Sequence, residues 1–112
     1  MRDDRSDVLL AKDILKSIDL ITTWTVSVNH NELYRSGVVR ELSVIGEAAK
    51  LLSDSFKELC SDIPWRAIAG SRDVAVHRYW ETEWARIEKT IAEDLPTLRA
   101  AVISALDDKS HS

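Results

Sequence analysis

Apolar side chains recur every three or four positions in the first part of the chain, at Leu10, Ile14, Ile18 (or Ser17), Ile21 and Trp24. A helix brings positions with this spacing onto one face. The intervening positions carry charges, at Lys12, Asp13, Lys16 and Asp19. The pattern therefore predicts an amphipathic first helix from about Asp7 to Val26.

A second stretch has the most regular spacing in the chain, at Val38, Leu42, Ile45, Ala49, Leu52 and Phe56. Such a stripe is typical of a helix that packs along a neighbour in a bundle. Asn29 followed by Glu32 is a candidate capping box, so we predict that Asn29 opens this helix. Gly46 would weaken an exposed helix, which favours close approach of a neighbouring backbone at that point.

Pro64 marks the strongest break inside the chain, because proline fits the first turn of a helix and disfavours helical dihedrals in the residue before it. We predict that a third helix begins near Pro64 and bends near Gly70 and Ser71. It should end between His77 and Trp80.

The remaining apolar positions predict a last helix from about Thr82 to Leu106, with a kink at Pro96. No alternating pattern typical of strands occurs. The sequence thus predicts an all-α fold, an antiparallel bundle of four to five helices, in which the fifth would be a short helix near residues 56–60. We expect one domain over residues 1–112 with a frayed tail after about Leu106.

Composition narrows the class of protein further. The N-terminal residues are too polar for a signal peptide and no apolar stretch is long enough to span a membrane, so we expect a cytoplasmic protein. The single cysteine, Cys60, excludes an intrachain disulfide and is expected to be a small buried side chain. A net charge of -4 disfavours a general nucleic-acid coat, but residues 64–80 carry three arginines against one acid.

The candidate catalytic residues lie close together in the sequence, at Arg72, Asp73, His77, Arg78 and Tyr79. An imidazole can transfer protons near neutral pH and a guanidinium can stabilise charge on a phosphate, so this set suits metal-free cleavage of RNA through its own 2′-hydroxyl. A five-residue offset turns about 140 degrees on a helix, so Arg72 and His77 would need a helix end, a bend or a second subunit to meet. On spacing alone, an ion-paired arginine and a histidine at a helix end are the commoner explanation.

The arrangement Arg72-x4-His77-x-Tyr79 resembles the Arg-x4-His-x-Tyr motif of the HepT group in the HEPN superfamily. Residues 42–48 resemble the family's L-x-V-I-G-E-A stretch, and residues 64–72 resemble its P-W-x-x-I-x-G-x-R approach to the motif. Residues 94–96 resemble its late D-L-P. The resemblance covers roughly residues 7–103 in one order.

The resemblance implies a helical homodimer whose two motif helices face each other across a cleft. It also implies a metal-independent ribonuclease toxin with no cofactor, in which Arg72 holds the scissile phosphate and His77 acts as general acid or base. Tyr79 occupies the position that a partner nucleotidyltransferase antitoxin modifies with AMP. An anionic adenylyl group there would block the cleft and repel an RNA phosphate.

One residue departs from the family pattern, because Asp73 stands where asparagine is common. A carboxylate could pair with Arg72 or raise the pKa of a nearby imidazole, and so modulate activity. An alternative function is therefore a catalytically weak HEPN module that binds the nucleotidyltransferase and is modified by it. A purely structural adaptor is a third alternative.

Several other side chains have open roles. Glu47 could reach the cleft, although a solvated or ion-paired position is the commoner case. His30 and His111 have no second ligand at a metal-binding spacing, so no metal site is predicted. Trp65, Trp80 and Trp84 could stack on bases or pack at a helix corner or dimer interface.

Overall fold

The computed structural model of the chain describes residues 4–69 and 84–110. These residues form six α-helices and one π-helical turn. The elements are α1 (Asp4–Ser27), α2 (Glu32–Leu51), α3 (Asp54–Leu59), α4 (Trp65–Ala69), α5 (Trp84–Lys89), the π-helical turn (Thr90–Asp94) and α6 (Leu95–Ser110). No strand occurs within these residues. The predicted all-α helical bundle is confirmed.

The core lies where α1 packs along α2, with α6 against α1 and α4 against α2. Its fully buried side chains come from the predicted stripes and include Ile14, Ile18, Ile21, Val38, Leu42, Ile45, Leu98 and Val102. Ser17 is also buried, so both of the positions left open in the first stripe face the core. Removal of this apolar surface from water is the main source of stability.

Close approach of α1 and α2 occurs at Gly37. A Cβ atom added there would lie 3.1 Å from the Cζ3 atom of Trp24. The half-buried indole of Trp24 therefore rests on the backbone of α2, and a side chain at position 37 would require the indole to shift by a few tenths of an ångström. Gly46, the predicted point of close approach, is also buried.

The cap of α2 is Asn31, so the prediction of Asn29 is wrong. The side chain of Asn31 accepts a hydrogen bond of 3.1 Å from the backbone N–H of Tyr34. A capping oxygen reaches the N–H group two or three residues further on, and α2 begins only at Glu32. Glu32 is thus the first helical residue rather than the third, which a capping box requires.

The predicted second helix is interrupted before Phe56, so its extension to that residue is wrong. It ends at Leu51, and Ser53 caps the short helix α3 by accepting a hydrogen bond of 3.2 Å from the N–H of Phe56. The short extra helix begins at Asp54 rather than near Phe56. Phe56 remains fully buried, which explains why its spacing continued the stripe.

The last helix is disturbed before Pro96, as its sequence predicts. In a regular helix, the proline ring would clash with the carbonyl group of Ala92 and its nitrogen could not donate a hydrogen bond. The π-helical turn ends one residue before α6, and Leu95 donates from its N–H to the carbonyl of Thr90. The wider turn accommodates the proline, and α6 then continues to Ser110, beyond the predicted end at Leu106.

None of the described helices is long and apolar enough to cross a lipid bilayer.

Candidate active site

The motif residues Arg72, Asp73, His77 and Tyr79 lie outside the described residues, as does Trp80. Their mutual arrangement therefore stays a prediction. The structure describes the two helices that flank them, α4 before the motif and α5 after it. The described part of the chain stops at the end of α4 and resumes at the start of α5.

The entry is anchored by Trp65, which begins α4. Its indole Nε1 donates a hydrogen bond of 3.1 Å to the carbonyl of Cys60. Ile68 is buried against the core, and its N–H donates to the carbonyl of Pro64 at 3.0 Å. The predicted helix start near Pro64 is confirmed, and packing of α4 on α2 holds the chain in place just before the motif.

The exit is anchored by Trp84, which is almost fully buried. Tyr34 meets its ring edge-on, with the ring centroids 6.1 Å apart. The Cζ atom of Arg35 lies 4.9 Å from the centroid of the same ring. Of the roles open for Trp84, the structure shows packing at a helix corner, because its buried ring is enclosed by the first turn of α2.

His30 completes an aromatic cluster, which we define as His30, Tyr34 and Trp84 together with Arg35. The imidazole stacks on Tyr34 with a centroid distance of 4.2 Å and an interplanar angle of 8°. Its Nε2 atom lies 2.8 Å from the carbonyl oxygen of Thr25. The hydroxyl groups of Thr25 and Tyr34 are hydrogen-bonded to each other at 3.0 Å. The cluster thus joins the end of α1, the start of α2 and the start of α5.

The pattern of residues along the chain did not predict that His30 is part of such a cluster. His30 lies four residues before Tyr34 but in the loop that precedes α2, so helical spacing does not predict their contact. The contact with Trp84 had no sequence signal, because it joins residues that are far apart along the chain.

The carboxylates of α2 have different environments. Glu47, singled out by the sequence, is exposed. Glu41, which the sequence analysis missed, is buried and accepts a hydrogen bond of 2.8 Å from the hydroxyl of Ser17 on α1. Its signal was its position three residues after Val38, next to the apolar stripe. A buried carboxylate needs such a partner, and this one links α1 to α2.

Cys60 is buried as predicted, and its thiol donates toward the carbonyl of Phe56 at 3.7 Å. Burial raises the pKa of the Cys60 thiol, which disfavours the reactive thiolate. Within residues 4–69 and 84–110, no group of three or more histidine, cysteine or acidic side chains could hold a metal ion. The described part of the chain thus offers neither an activated thiol nor a metal centre.

Comparison with known proteins gives one consistent result. Residues 11–105 match a family model described as "Ribonuclease HepT-like". A protein of Methanocaldococcus jannaschii, provisionally named RNase MJ1380, is 30% identical over 95 residues that cover 80% of this chain and 87% of the relative. A protein of Thermococcus cleftensis, provisionally named ribonuclease HepT, is 34% identical over 93 residues, which cover 79% of this chain and 84% of the relative.

A third relative, from Caldanaerobacter subterraneus and provisionally named RNase TTE0752, is 42% identical over 64 residues, or 57% of each chain. No solved structure gives a significant match.

Proposed function

The chain belongs to the HepT-like ribonuclease family, and from this premise we propose that it is a metal-independent endoribonuclease that acts as the toxin of a toxin–antitoxin pair. The observation that carries the proposal is the family match over residues 11–105, which includes every position of the Arg72-x4-His77-x-Tyr79 motif. We propose that residues 1–112 act as one domain.

Arg72 and His77 are the catalytic residues of this proposal. Arg72 holds the scissile phosphate and stabilises the charge that grows on it during cleavage. His77 transfers protons between the 2′-hydroxyl nucleophile and the leaving oxygen. The described helices on either side of the motif are packed, α4 through Trp65 and α5 through Trp84.

The site is completed by a second copy of the chain in this proposal. The offset between Arg72 and His77 places them on different faces of a regular helix, so two facing copies offer a way to bring an arginine and a histidine together around one phosphate. We therefore propose a homodimer with the site in the cleft between its subunits. The substrate is RNA, and no cofactor is required.

Tyr79 is the proposed point of control. A nucleotidyltransferase antitoxin transfers AMP from a nucleotide to the Tyr79 hydroxyl, with pyrophosphate as the leaving group when ATP is the donor. The attached phosphate is anionic and the adenosine is large, so the product would repel RNA and occupy the cleft. Along the chain, Tyr79 precedes the anchored Trp84 by five residues.

The alternative function is a binding module with weak or no catalysis, and the presence of Asp73 favours it. A carboxylate next to Arg72 could neutralise the guanidinium that should bind phosphate. The chain would then be a binding module that docks with the nucleotidyltransferase and is modified without cutting RNA. The two functions differ in whether the unmodified protein cleaves RNA.

The substrate chemistry offers a direct test. Protein made without its partner is incubated in EDTA with a single-stranded RNA and with the same sequence carrying 2′-O-methyl groups. We expect cleavage of the RNA only, with 2′,3′-cyclic phosphate ends, because the methyl group removes the nucleophile. Equal cutting of both strands would contradict the mechanism, and no cutting of several RNAs by folded protein would favour the binding module.

A further inference from the structure

The aromatic cluster at the start of α2 has a side that the described fold leaves open to solvent. We propose that this side binds single-stranded RNA, with a base stacked on the imidazole of His30 and a phosphate of the same strand held by Arg35. The proposal rests on the proposed function in that RNA is the substrate. It adds a subsite outside the Arg72 and His77 motif.

His30 is exposed, yet its ring is held in one orientation. Tyr34 covers one face of the imidazole at a centroid distance of 4.2 Å, and the bond to the carbonyl of Thr25 fixes the rotation of the ring. Among the residues that the structure describes, none is stacked on the other face. Such a pre-ordered ring can accept a base with little further loss of side-chain entropy.

Histidine and aromatic rings are common stacking partners for unpaired bases, because every base has a π-face. The ring of His30 is also backed by further aromatic side chains, since Tyr34 contacts Trp84 in turn. The base would therefore extend an existing stack rather than rest on an isolated side chain. Contacts of this type tolerate changes of sequence, so the subsite should favour single strands over particular bases.

Arg35 supplies the charge that a phosphate needs. Its guanidinium lies over the ring of Trp84. A guanidinium stacked in this way directs its N–H donors outward in its own plane, away from the ring. It is half-buried, and no described carboxylate forms an ion pair with it. Arg35 and His30 contact different members of the same cluster, so the stacked base and the phosphate held by Arg35 are assigned to one strand rather than to one nucleotide.

The cluster is close to the motif along the chain. Trp84 is the first described residue after the motif segment and follows Tyr79 by five residues. In this proposal the RNA strand bound at the motif extends to His30 and Arg35. The competing explanation is that His30 serves only as a cap for the carbonyl of Thr25 at the end of α1.

Binding can be measured separately from cleavage with a fluorescent single-stranded 2′-O-methyl RNA, which lacks the nucleophile. We expect His30→Ala to weaken binding by roughly fivefold or more, as loss of one stacked base does. His30→Phe loses the hydrogen bond to Thr25 but keeps a ring, so its affinity should stay within about twofold of wild type. His111→Ala is the matched control and should bind like wild type.

Arg35→Gln removes the charge and should reduce the slope of log affinity against log salt concentration by about 1. An abasic position in the RNA should weaken wild type and leave His30→Ala unchanged, if it removes the stacked base. Circular dichroism and thermal unfolding of each variant show whether it is folded. His30→Ala is read only from protein below its unfolding transition, and His30→Phe keeps the test valid if the alanine variant does not fold.

Three results would overturn the proposal. The first is equal RNA affinity for wild type and a folded His30→Ala. The second is equal loss in His30→Phe and His30→Ala, which would assign the effect to the cap. The third is that the variants change only the binding of free AMP or of the nucleotidyltransferase. A wild type that binds this RNA through His30 but never cleaves RNA would contradict the proposed function and leave the subsite supported.

Discussion

At the scale of single residues, the carboxylate of Glu41 is costly to bury, because it lies in the interface between α1 and α2. It is 7% exposed and accepts its hydrogen bond from Ser17, which is 2% exposed. Loss of one partner from a buried pair costs more than the pair itself contributes, because the remaining group keeps its desolvation penalty. Ser17 therefore has a larger effect on stability than its size suggests.

We expect Ser17→Ala to lower the free energy of unfolding by about 1 to 3 kcal/mol, measured by urea denaturation. Ser36 is an exposed serine on α2 and serves as the control. Ser36→Ala should stay within about 0.5 kcal/mol of wild type. Equal stability of the two variants would show that the Ser17 hydrogen bond makes no net contribution.

Cys60 gives a second prediction at this scale. Its thiol is buried and its pKa is raised by desolvation, so a thiol reagent near pH 8 should react at least about tenfold more slowly with the native protein than with protein unfolded in urea. Because the pKa of Cys60 is raised in the native protein, the neutral thiol favours the folded state over the unfolded state. Its contribution is complete below the thiol's ordinary pKa and is lost as pH rises through the native value.

Release of the coloured product of a disulfide reagent measures both rates. Fast reaction of the native protein would contradict the buried position of Cys60.

At the scale of helices, the interruption between α2 and α3 is tied to the start of α1. Ser53 donates to the buried carboxylate of Asp7 from its backbone N–H at 2.9 Å and from its hydroxyl at 2.5 Å. The same hydroxyl caps α3. Ser53 thus links the start of α1 to the junction between α2 and α3.

Ser53→Ala should destabilise the protein by about 1 to 3 kcal/mol, because it removes the cap and one hydrogen bond to a buried carboxylate. Ser55 offers a matched control on the same helix, since its hydroxyl has a bond of 3.1 Å to Ser53 in an exposed position. Thermal unfolding should show Ser55→Ala close to wild type. The account of this junction fails if the two variants melt at the same temperature.

Much of the helical fold could be predicted from periodicity, because burial of one apolar face determines the spacing in α1, α2 and α6. Local hydrogen bonds were less predictable. The cap of α2 is Asn31 rather than Asn29. The apolar spacing of α2 continues past the break at Ser53, because Phe56 of α3 is also buried in the core. Hydrophobic periodicity does not predict which side-chain oxygen accepts a hydrogen bond from a particular N–H group.

In the candidate site, some features could be predicted from the sequence and others could not. The motif residues could be found from the sequence, because residue type and order carry their chemistry. The aromatic cluster could not, since it forms only when α5 folds back on the first turn of α2. Contacts between distant parts of a chain depend on the packing of whole helices, and a local sequence pattern does not predict them.

At the scale of the whole molecule, control of the proposed toxin depends on one hydroxyl group. Coexpression with the nucleotidyltransferase should add the mass of one or more AMP groups to the protein, and Tyr79→Phe should not be modified because it has no hydroxyl. Intact-protein mass spectrometry measures both results. Tyr34→Phe is a control for tyrosine loss, since Tyr34 is buried and hydrogen-bonded to Thr25.

Cells that express Tyr79→Phe should remain sensitive to the toxin in the presence of the partner. Modification of the Tyr79→Phe protein at another residue, with full protection of the cells, would contradict this account of control.

The molecule has a net charge of -4, so RNA binding should depend on local positive charge rather than on an overall field. The central claim is that this local chemistry is catalytic and that His77 transfers the proton. The initial rate of RNA cleavage in EDTA tests it most directly, with wild type, His77→Ala and the tail variant His111→Ala at equal concentration. We predict that His111→Ala cleaves like wild type and that His77→Ala loses at least about 100-fold in rate, as expected when a general acid or base is removed. Cleavage by folded His77→Ala at the wild-type rate would contradict the account.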